Sequence, residues 1–113
     1  MEISISEHNG ARVLMLKGKI LGGPEAGAIN DKIHELIAKG EKKIVIDMHE
    51  LDLMNSSGLG ILIAAVTTLR NNGGQMALLR VPERIRHLLK ITRLNNVFQQ
   101  FDSLEEAVQF LNA

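Results

Sequence analysis

The sequence predicts an α/β domain whose mixed β-sheet opens with a β-hairpin and carries about four helices, packed mainly on one face. Three observations predict it. Ile3-Ser4-Ile5-Ser6 alternates with period two, and Asn9-Gly10 separates it from the apolar stretch Val13-Leu14-Met15-Leu16. This is a hairpin signature, because a type I′ turn needs positive φ at both central residues and Asn-Gly tolerates that best. Ile44-Val45-Ile46 is β-branched throughout and bounded by charge, as expected of a strand covered on both faces, and Met76-Ala77-Leu78-Leu79 is a looser version of the same pattern. One helical stretch lies between these two strands, and strand, helix, strand implies a right-handed parallel crossover.

After the hairpin, Gly22-Gly23-Pro24-Glu25 opens a helix, with proline where a first helical residue lacks an N–H partner anyway and glutamate in the first turn. Ala26, Ile29, Ile33, Leu36 and Ile37 follow the spacing of one helical face, and Gly40 is its stop. The second helix begins near Ser56 or Ser57 and runs to Asn71-Asn72-Gly73-Gly74, residues suited to the left-handed conformation that ends helices. Pro82 opens a third helix carrying Ile85, Leu88, Leu89 and Ile91. Asn95-Asn96-Val97-Phe98 suggests a turn and a short last strand. Ser103 and Glu106 have capping-box spacing before the stripe Leu104, Ala107, Val108, Leu111 of a terminal helix. There is no linker, internal repeat or low-complexity segment, so residues 1–113 are expected to form one domain.

Composition excludes several function classes. A chain of 113 residues can bury roughly two-thirds of its unfolded surface without disulfides or metals. The absence of cysteine removes thiolate zinc sites and thiol nucleophiles, and fits a reducing compartment. Lys+Arg 13 balances Asp+Glu 13, so the whole chain has no electrostatic attraction for nucleic acid or anionic membrane. Met1-Glu2-Ile3-Ser4 does not open a secretory signal. The longest apolar run, Leu59 to Val66, falls far short of the ~18 residues of a membrane span. The expected location is the cytoplasm, with no direct nucleic-acid or membrane partner.

The segment Asp47-Met48-His49-Glu50-Leu51-Asp52-Leu53-Met54-Asn55-Ser56-Ser57-Gly58-Leu59-Gly60 does not look chosen for packing alone. Two hydroxyls sit at a strand-to-helix turn. Serine there is a preferred N-cap, and the same place offers free N–H donors and a positive dipole end to a phosphate. Gly58 and Gly60 keep the approach open. In the helix beyond, Leu59, Leu62, Ile63, Val66 and Leu69 gather as a core stripe, whereas Ile61, Ala64, Ala65 and Thr68 fall on the opposite side. An apolar, small-residue outer face suggests either a docking surface or a helix sandwiched inside the domain.

The stretch Leu51 to Ala65, Leu-Asp-Leu-Met-Asn-Ser-Ser-Gly-Leu-Gly-Ile-Leu-Ile-Ala-Ala, resembles the phosphorylation segment of the STAS domains of bacterial anti-sigma-factor antagonists, whose usual pattern is Asp-Ser-Ser/Thr-Gly-Leu-Gly. The order of elements agrees over nearly the whole chain, including the Gly-Gly before Gln75. The resemblance implies a partner switch. The unmodified antagonist binds an anti-sigma factor that is itself a serine kinase, phosphorylation by that kinase ends the binding, and a serine phosphatase restores it. The acceptor maps onto Ser56, with Ser57 as the alternative. Gly22, Gly23, Asn55, Ser57, Gly58, Leu59, Ile61, Ala64, Ala65 and Thr68 are the candidate partner surface. No cofactor is implied for this chain, because ATP would belong to the kinase. Two departures stand out: Asn55 replaces the acid before the acceptor, and Gly18-Lys19-Ile20-Leu21 replaces the family's Gly-Glu-(Leu/Ile)-Asp. A STAS scaffold or signalling subunit that is never phosphorylated is the second reading; a small-ligand or enzymatic role for the turn is the third.

Other signals are weak. Ser56 lacks the Gly-x-Ser-x-Gly elbow, because Met54 occupies the first glycine's position, and no base is fixed near it. His8, His34, His49 and His87 show no paired metal spacing. Arg80, Arg84, Arg86, Lys90 and Arg93 form a local basic run, read as a solvated face or a site for an acidic partner or nucleotide. Asp47, at a strand end, suggests the phospho-acceptor of two-component receivers, but no early acidic pair accompanies it.

Overall fold

A computed structural model describes residues 1–113. It has the expected fold class, a mixed α/β sheet with four helices. The chain runs β1 (Glu2–His8), β2 (Ala11–Ile20), α1 (Pro24–Ala38), β3 (Lys43–Met54), α2 (Ser56–Asn71), β4 (Gln75–Leu79), α3 (Glu83–Ile91), β5 (Gln99–Phe101) and α4 (Leu104–Asn112). Strand order in the sheet is β1-β2-β3-β4-β5; β1 and β2 pair antiparallel and every other pair is parallel.

The hairpin closes as its sequence demands, with φ +50° at Asn9 and +86° at Gly10 and an unbroken register from Glu2–Lys17 to His8–Ala11. Helices α1, α2 and α3 cover one face of the sheet through a core that includes Leu14, Leu16, Ile33, Ile46, Leu62, Leu78 and Ile85. Helix α4 alone covers the other face, where Ala107, Val108 and Leu111 meet Val13, Val45, Ala77 and Leu79. Ile44, Val45 and Ile46 are each 0% exposed, which explains why that strand carries no alternation. The expected cap forms at α4, where Ser103 Oγ accepts from the Glu106 N–H at 3.4 Å.

Strand β3 is far longer than its β-branched start. Its pairing with β2 skips twice: Met15–Asp47 is followed by Lys17–Glu50, and Gly18–Leu51 by Lys19–Leu53. Each skip is a β-bulge that places an extra residue on β3. A regular strand would send Met48 and Leu51 to opposite faces. The bulges return Met48, Leu51 and Met54, three residues apart, to the same core. They also carry the chain end to the rim of β2, where the Asn55 N–H donates to Ile20 O at 3.4 Å. Residues 47–54 therefore hide as strand in the sequence, because bulges break the period of two on which strand recognition depends.

The core face of α2 is rotated from the expected stripe. Leu59, Leu62, Val66 and Leu69 are buried as expected, but Ala65 joins them and Ile63 stays half-exposed. Leu62, 0% exposed, should therefore lose about 2–5 kcal/mol of stability on Leu62→Ala. Ile63→Ala should cost clearly less, and urea denaturation of the two variants measures the difference.

Candidate functional site

The turn between β3 and α2 is built by Asn55, not by a serine. Asn55 is the N-cap of α2, with extended φ −103° and ψ −174°, and its Oδ1 accepts from the Gly58 N–H at 2.9 Å. This corrects the expectation that Ser56 or Ser57 caps the helix. An amide oxygen caps as well as a hydroxyl, and the chain reaches helical geometry one residue earlier. The other half of the amide does what a carboxylate could not: Nδ2 donates to Leu21 O at 3.2 Å. Asn55 thus holds the helix start to the loop after β2, and Ser56 and Ser57 become its first two residues, both exposed.

Gly58 has a different role from the one expected. It is buried, and a Cβ there would stand 2.2 Å from Ile20 O and 2.9 Å from Met54 Cγ. Its missing side chain lets α2 start hard against the end of β2, so it does not keep an approach to Ser56 open. Gly60, where a Cβ would meet nothing within 4 Å, is the residue that keeps the surface low. The glycine turn before α1 comes to the same place. A Cβ on Gly22 would lie 3.2 Å from Ser57 Cβ, and Gly22 has φ +105°. Gly23, the N-cap of α1, has φ 66° and ψ −127°, a conformation only glycine adopts without strain.

Of the proposed docking residues, Asn55, Ser57 and Ala64 are exposed, and Ile61 and Thr68 are half-buried on the outer side of α2. Gly58, Leu59 and Ala65 are corrected. Leu59 is 2% and Ala65 4% exposed; both belong to the core. Ala65 contributes only the floor of an open groove of about 430 Å³ between α1 and α2, lined otherwise by Ala26, Gly27, Asn30, Ser57, Gly60, Ile61 and Ala64. Helix α2 is therefore not sandwiched: α1 flanks it and its outer face stays open. Sequence reasoning missed the exposed Gly27 and Asn30 of α1, and Ala26, expected on that helix's core face, is half-buried and also lines the groove. It also missed Leu21, a large apolar side chain 43% exposed in the glycine turn beside Asn55. An apolar residue ahead of Gly22-Gly23, where a turn would normally be polar, was the available signal.

The electrostatics of this helix start set it apart. Helices α1, α3 and α4 each carry an acid in the first turn, Glu25, Glu83 and Glu105 with Glu106 respectively, and α2 carries none. With Gly58 N–H capped, the N–H groups of Ser56 and Ser57 point out of the first turn beside the positive end of the helix dipole. No acidic side chain in the first turn of α2 offsets that positive end.

Asp47 and His49 lie upstream in β3 and serve another purpose. Asp47 is 3% exposed. Its Oδ1 accepts from the His49 backbone N–H at 3.2 Å and stands 2.8 Å from His49 Nδ1, while Oδ2 accepts from Arg80 at 2.7 Å. Burial pushes the Asp47 carboxyl up, but the bonds from His49 and Arg80 outweigh it and hold the group below its ordinary value. Oδ1 is engaged within β3 by His49, and Oδ2 ties β3 to Arg80 just beyond the end of β4. The other ring nitrogen of His49, Nε2, stands 3.5 Å from Glu50 Oε1.

The sequence and the fold as a whole are shared with known proteins. The family model for the STAS domain matches residues 2–107. The chain belongs to the STAS domain family. This STAS domain is 30% identical over 108 residues to the anti-sigma-F factor antagonist RsfB of Mycobacterium tuberculosis, covering 94% of this chain and 85% of that protein. Its fold matches an anti-sigma factor antagonist from Mycobacterium paratuberculosis with a TM-score of 0.82 at 23% identity, covering 99% and 94% of the two chains. It also matches the Bacillus cell fate determinant SpoIIAA in its phosphorylated form, with a TM-score of 0.72 at 22% identity over 96% and 97%.

The two glycines of α2 should respond oppositely to substitution in this STAS domain. Gly58→Ala should lose at least about 1–3 kcal/mol through overpacking against Ile20 O, whereas Gly60→Ala should gain up to about 1 kcal/mol from helix propensity; thermal denaturation separates them. The depressed Asp47 carboxyl stabilises the fold fully above its ordinary value of 3.8 and loses that contribution as pH falls through the lower folded value. The urea midpoint should drop with acid below about pH 4, and Asp47→Asn should flatten that part of the profile.

Proposed function

We propose that this STAS domain is an anti-sigma-factor antagonist that works in the cytoplasm as a partner switch, with residues 1–113 acting as one unit. Unmodified, it binds an anti-sigma factor that is also a serine kinase. Phosphorylation at Ser56 releases it, and a serine phosphatase resets it. Its role is binding rather than catalysis. The observation that carries this reading is the exposed hydroxyl at the first position of α2, where no acid competes for the helix dipole and the backbone is already fixed by Asn55.

Ser56 is preferred over Ser57 on packing. Ser57 lies beside Gly22 and lines the groove, whereas Ser56 is exposed outside the groove lining. The partner surface is assigned to Leu21, the Gly22-Gly23 turn, Asn55, Ser57, Ile61, Ala64 and Thr68, with Ala26, Gly27 and Asn30 across the groove. Small side chains let another backbone approach closely, and Leu21 supplies an apolar anchor at the rim. Asn55 keeps the capping geometry expected of the family's acid while removing one negative charge next to the acceptor, which favours phosphate there.

Release needs no change of fold. A phosphoserine adds about −1.5 to −2 charge at pH 7, and an unpaired charge in a formed interface costs at least ~2–5 kcal/mol. Since 1.4 kcal/mol is a factor of ten, about 3 kcal/mol weakens the complex roughly a hundredfold. The likeness of fold to SpoIIAA, a protein known in both unphosphorylated and phosphorylated forms, supports a scaffold that tolerates the group.

Calorimetry against the anti-sigma factor tests the switch. Ser56→Ala should bind with wild-type affinity in the presence of ATP and remain bound. Ser56→Asp should bind at least tenfold more weakly, and Leu21→Asp should also weaken binding without altering the thermal midpoint. Equal affinity for Ser56→Ala and Ser56→Asp contradicts the switch.

A further inference from the structure

The two edges of the sheet are unlike. Strand β5, at one edge, has only three residues, and short edge strands resist pairing with other chains. Strand β1, at the other, has seven residues, Glu-Ile-Ser-Ile-Ser-Glu-His, with no proline, no lysine and no bulge in its register. These are the devices that ordinarily blunt an edge. Six of the seven residues are exposed and Ile3 is half-buried. Ile5 is 43% exposed on the helix-bearing face, opposite Leu14.

The turn determines which backbone groups of β1 are free. In a two-residue hairpin the flanking residues, here His8 and Ala11, form a hydrogen-bonded pair, and such pairs alternate along the ladder. His8, Ser6, Ser4 and Glu2 therefore direct their N–H and C=O groups to β2. Ile3, Ile5 and Glu7 direct theirs outward.

We propose that this edge binds a second copy of the chain: two β1 strands pair antiparallel about a two-fold axis at Ile5, joining the two sheets into one. Three outward residues centred on Ile5 are self-complementary under that symmetry, which sets Ile3 opposite Glu7 of the other copy and Ile5 opposite itself. The three pairs exchange up to six main-chain hydrogen bonds. The side chains agree with this register. Ser4 meets Ser6, Glu2 meets His8, and no like charges face each other. Glu7, whose carboxylate is drawn back by Arg12 at 2.6 Å, offers its stem to Ile3. The exposed Ile5 is covered by its own copy, the isologous contact that two-fold dimers use.

Sedimentation velocity from micromolar to millimolar protein, together with disulfide trapping, tests the register; the chain has no native cysteine to interfere. Wild type should show a dimer fraction that rises with concentration. Ile5→Pro removes an outward N–H only, a place where an edge strand tolerates proline, and Ile5→Lys sets two cations face to face; both should stay monomeric with unchanged circular dichroism. Directly opposed Cα atoms are about 5.5 Å apart, within disulfide range. Ile5→Cys should therefore oxidise to a covalent dimer and Glu7→Cys alone should not, while an equimolar mixture of Ile3→Cys and Glu7→Cys should cross-link. The cysteine variants carry the test if either substitution at residue 5 unfolds the protein. A wild type that remains monomeric throughout, a dimer that survives Ile5→Pro, or equal cross-linking of Ile5→Cys and Glu7→Cys overturns the proposal.

Discussion

The contact between the start of α2 and the end of β2 is the constraint on which the rest of the site depends. It exists because residue 58 has no side chain: a Cβ would sit 2.2 Å from Ile20 O, far inside van der Waals contact. Once the helix is seated there, Asn55 can join both sides, capping Gly58 N–H with one amide atom and holding Leu21 O with the other. The two bulges of β3 deliver Asn55 to that point, and Gly23, in a conformation open only to glycine, lets α1 turn back beside it. The position of Ser56 is thus a property of the backbone. Its side chain is exposed and makes no hydrogen bond to the rest of the fold.

The same arrangement decides the sign of charge the site will accept. A neutral cap and the absence of an acid in the first turn leave the helix dipole uncompensated. On the proposed reading, a phosphate on Ser56 would be stabilised locally by that dipole, and its penalty would fall on whatever is docked nearby. Modification of one hydroxyl can therefore discriminate between free and bound states while leaving the stability of the free domain nearly unchanged. The groove between α1 and α2 supplies the other requirement, an open surface of small residues adjoining the charge.

Much of the fold is legible in the sequence because its signals are local. Asn9-Gly10 specifies its turn, Pro24 and Gly40 bracket α1, and Ser103 caps α4, each through backbone chemistry that needs no tertiary partner. The β3 continuation through Leu53 is not legible, because bulges are defined by a neighbouring strand and leave no periodicity of their own. The phase of α2 is legible only in part. A helix flanked by another along one side buries Ala65 and frees Ile63, and the sequence does not say on which side that neighbour lies. The motif locates the turn before α2 but points to serine as its cap; only the geometry shows that the amide of Asn55 both caps the helix and holds Leu21 O. Gly58 likewise looks like open space in the sequence and is the tightest contact in the site.

The central claim is that a single negative charge at Ser56 governs binding. Its most direct measurement is intact-mass and peptide-mapping analysis of this protein after incubation with ATP and the proposed anti-sigma factor kinase. The account predicts one phosphate, on the peptide containing Ser56, that accumulates as the complex dissociates. Dissociation with no phosphate acquired, or a phosphate on any other residue, would contradict it.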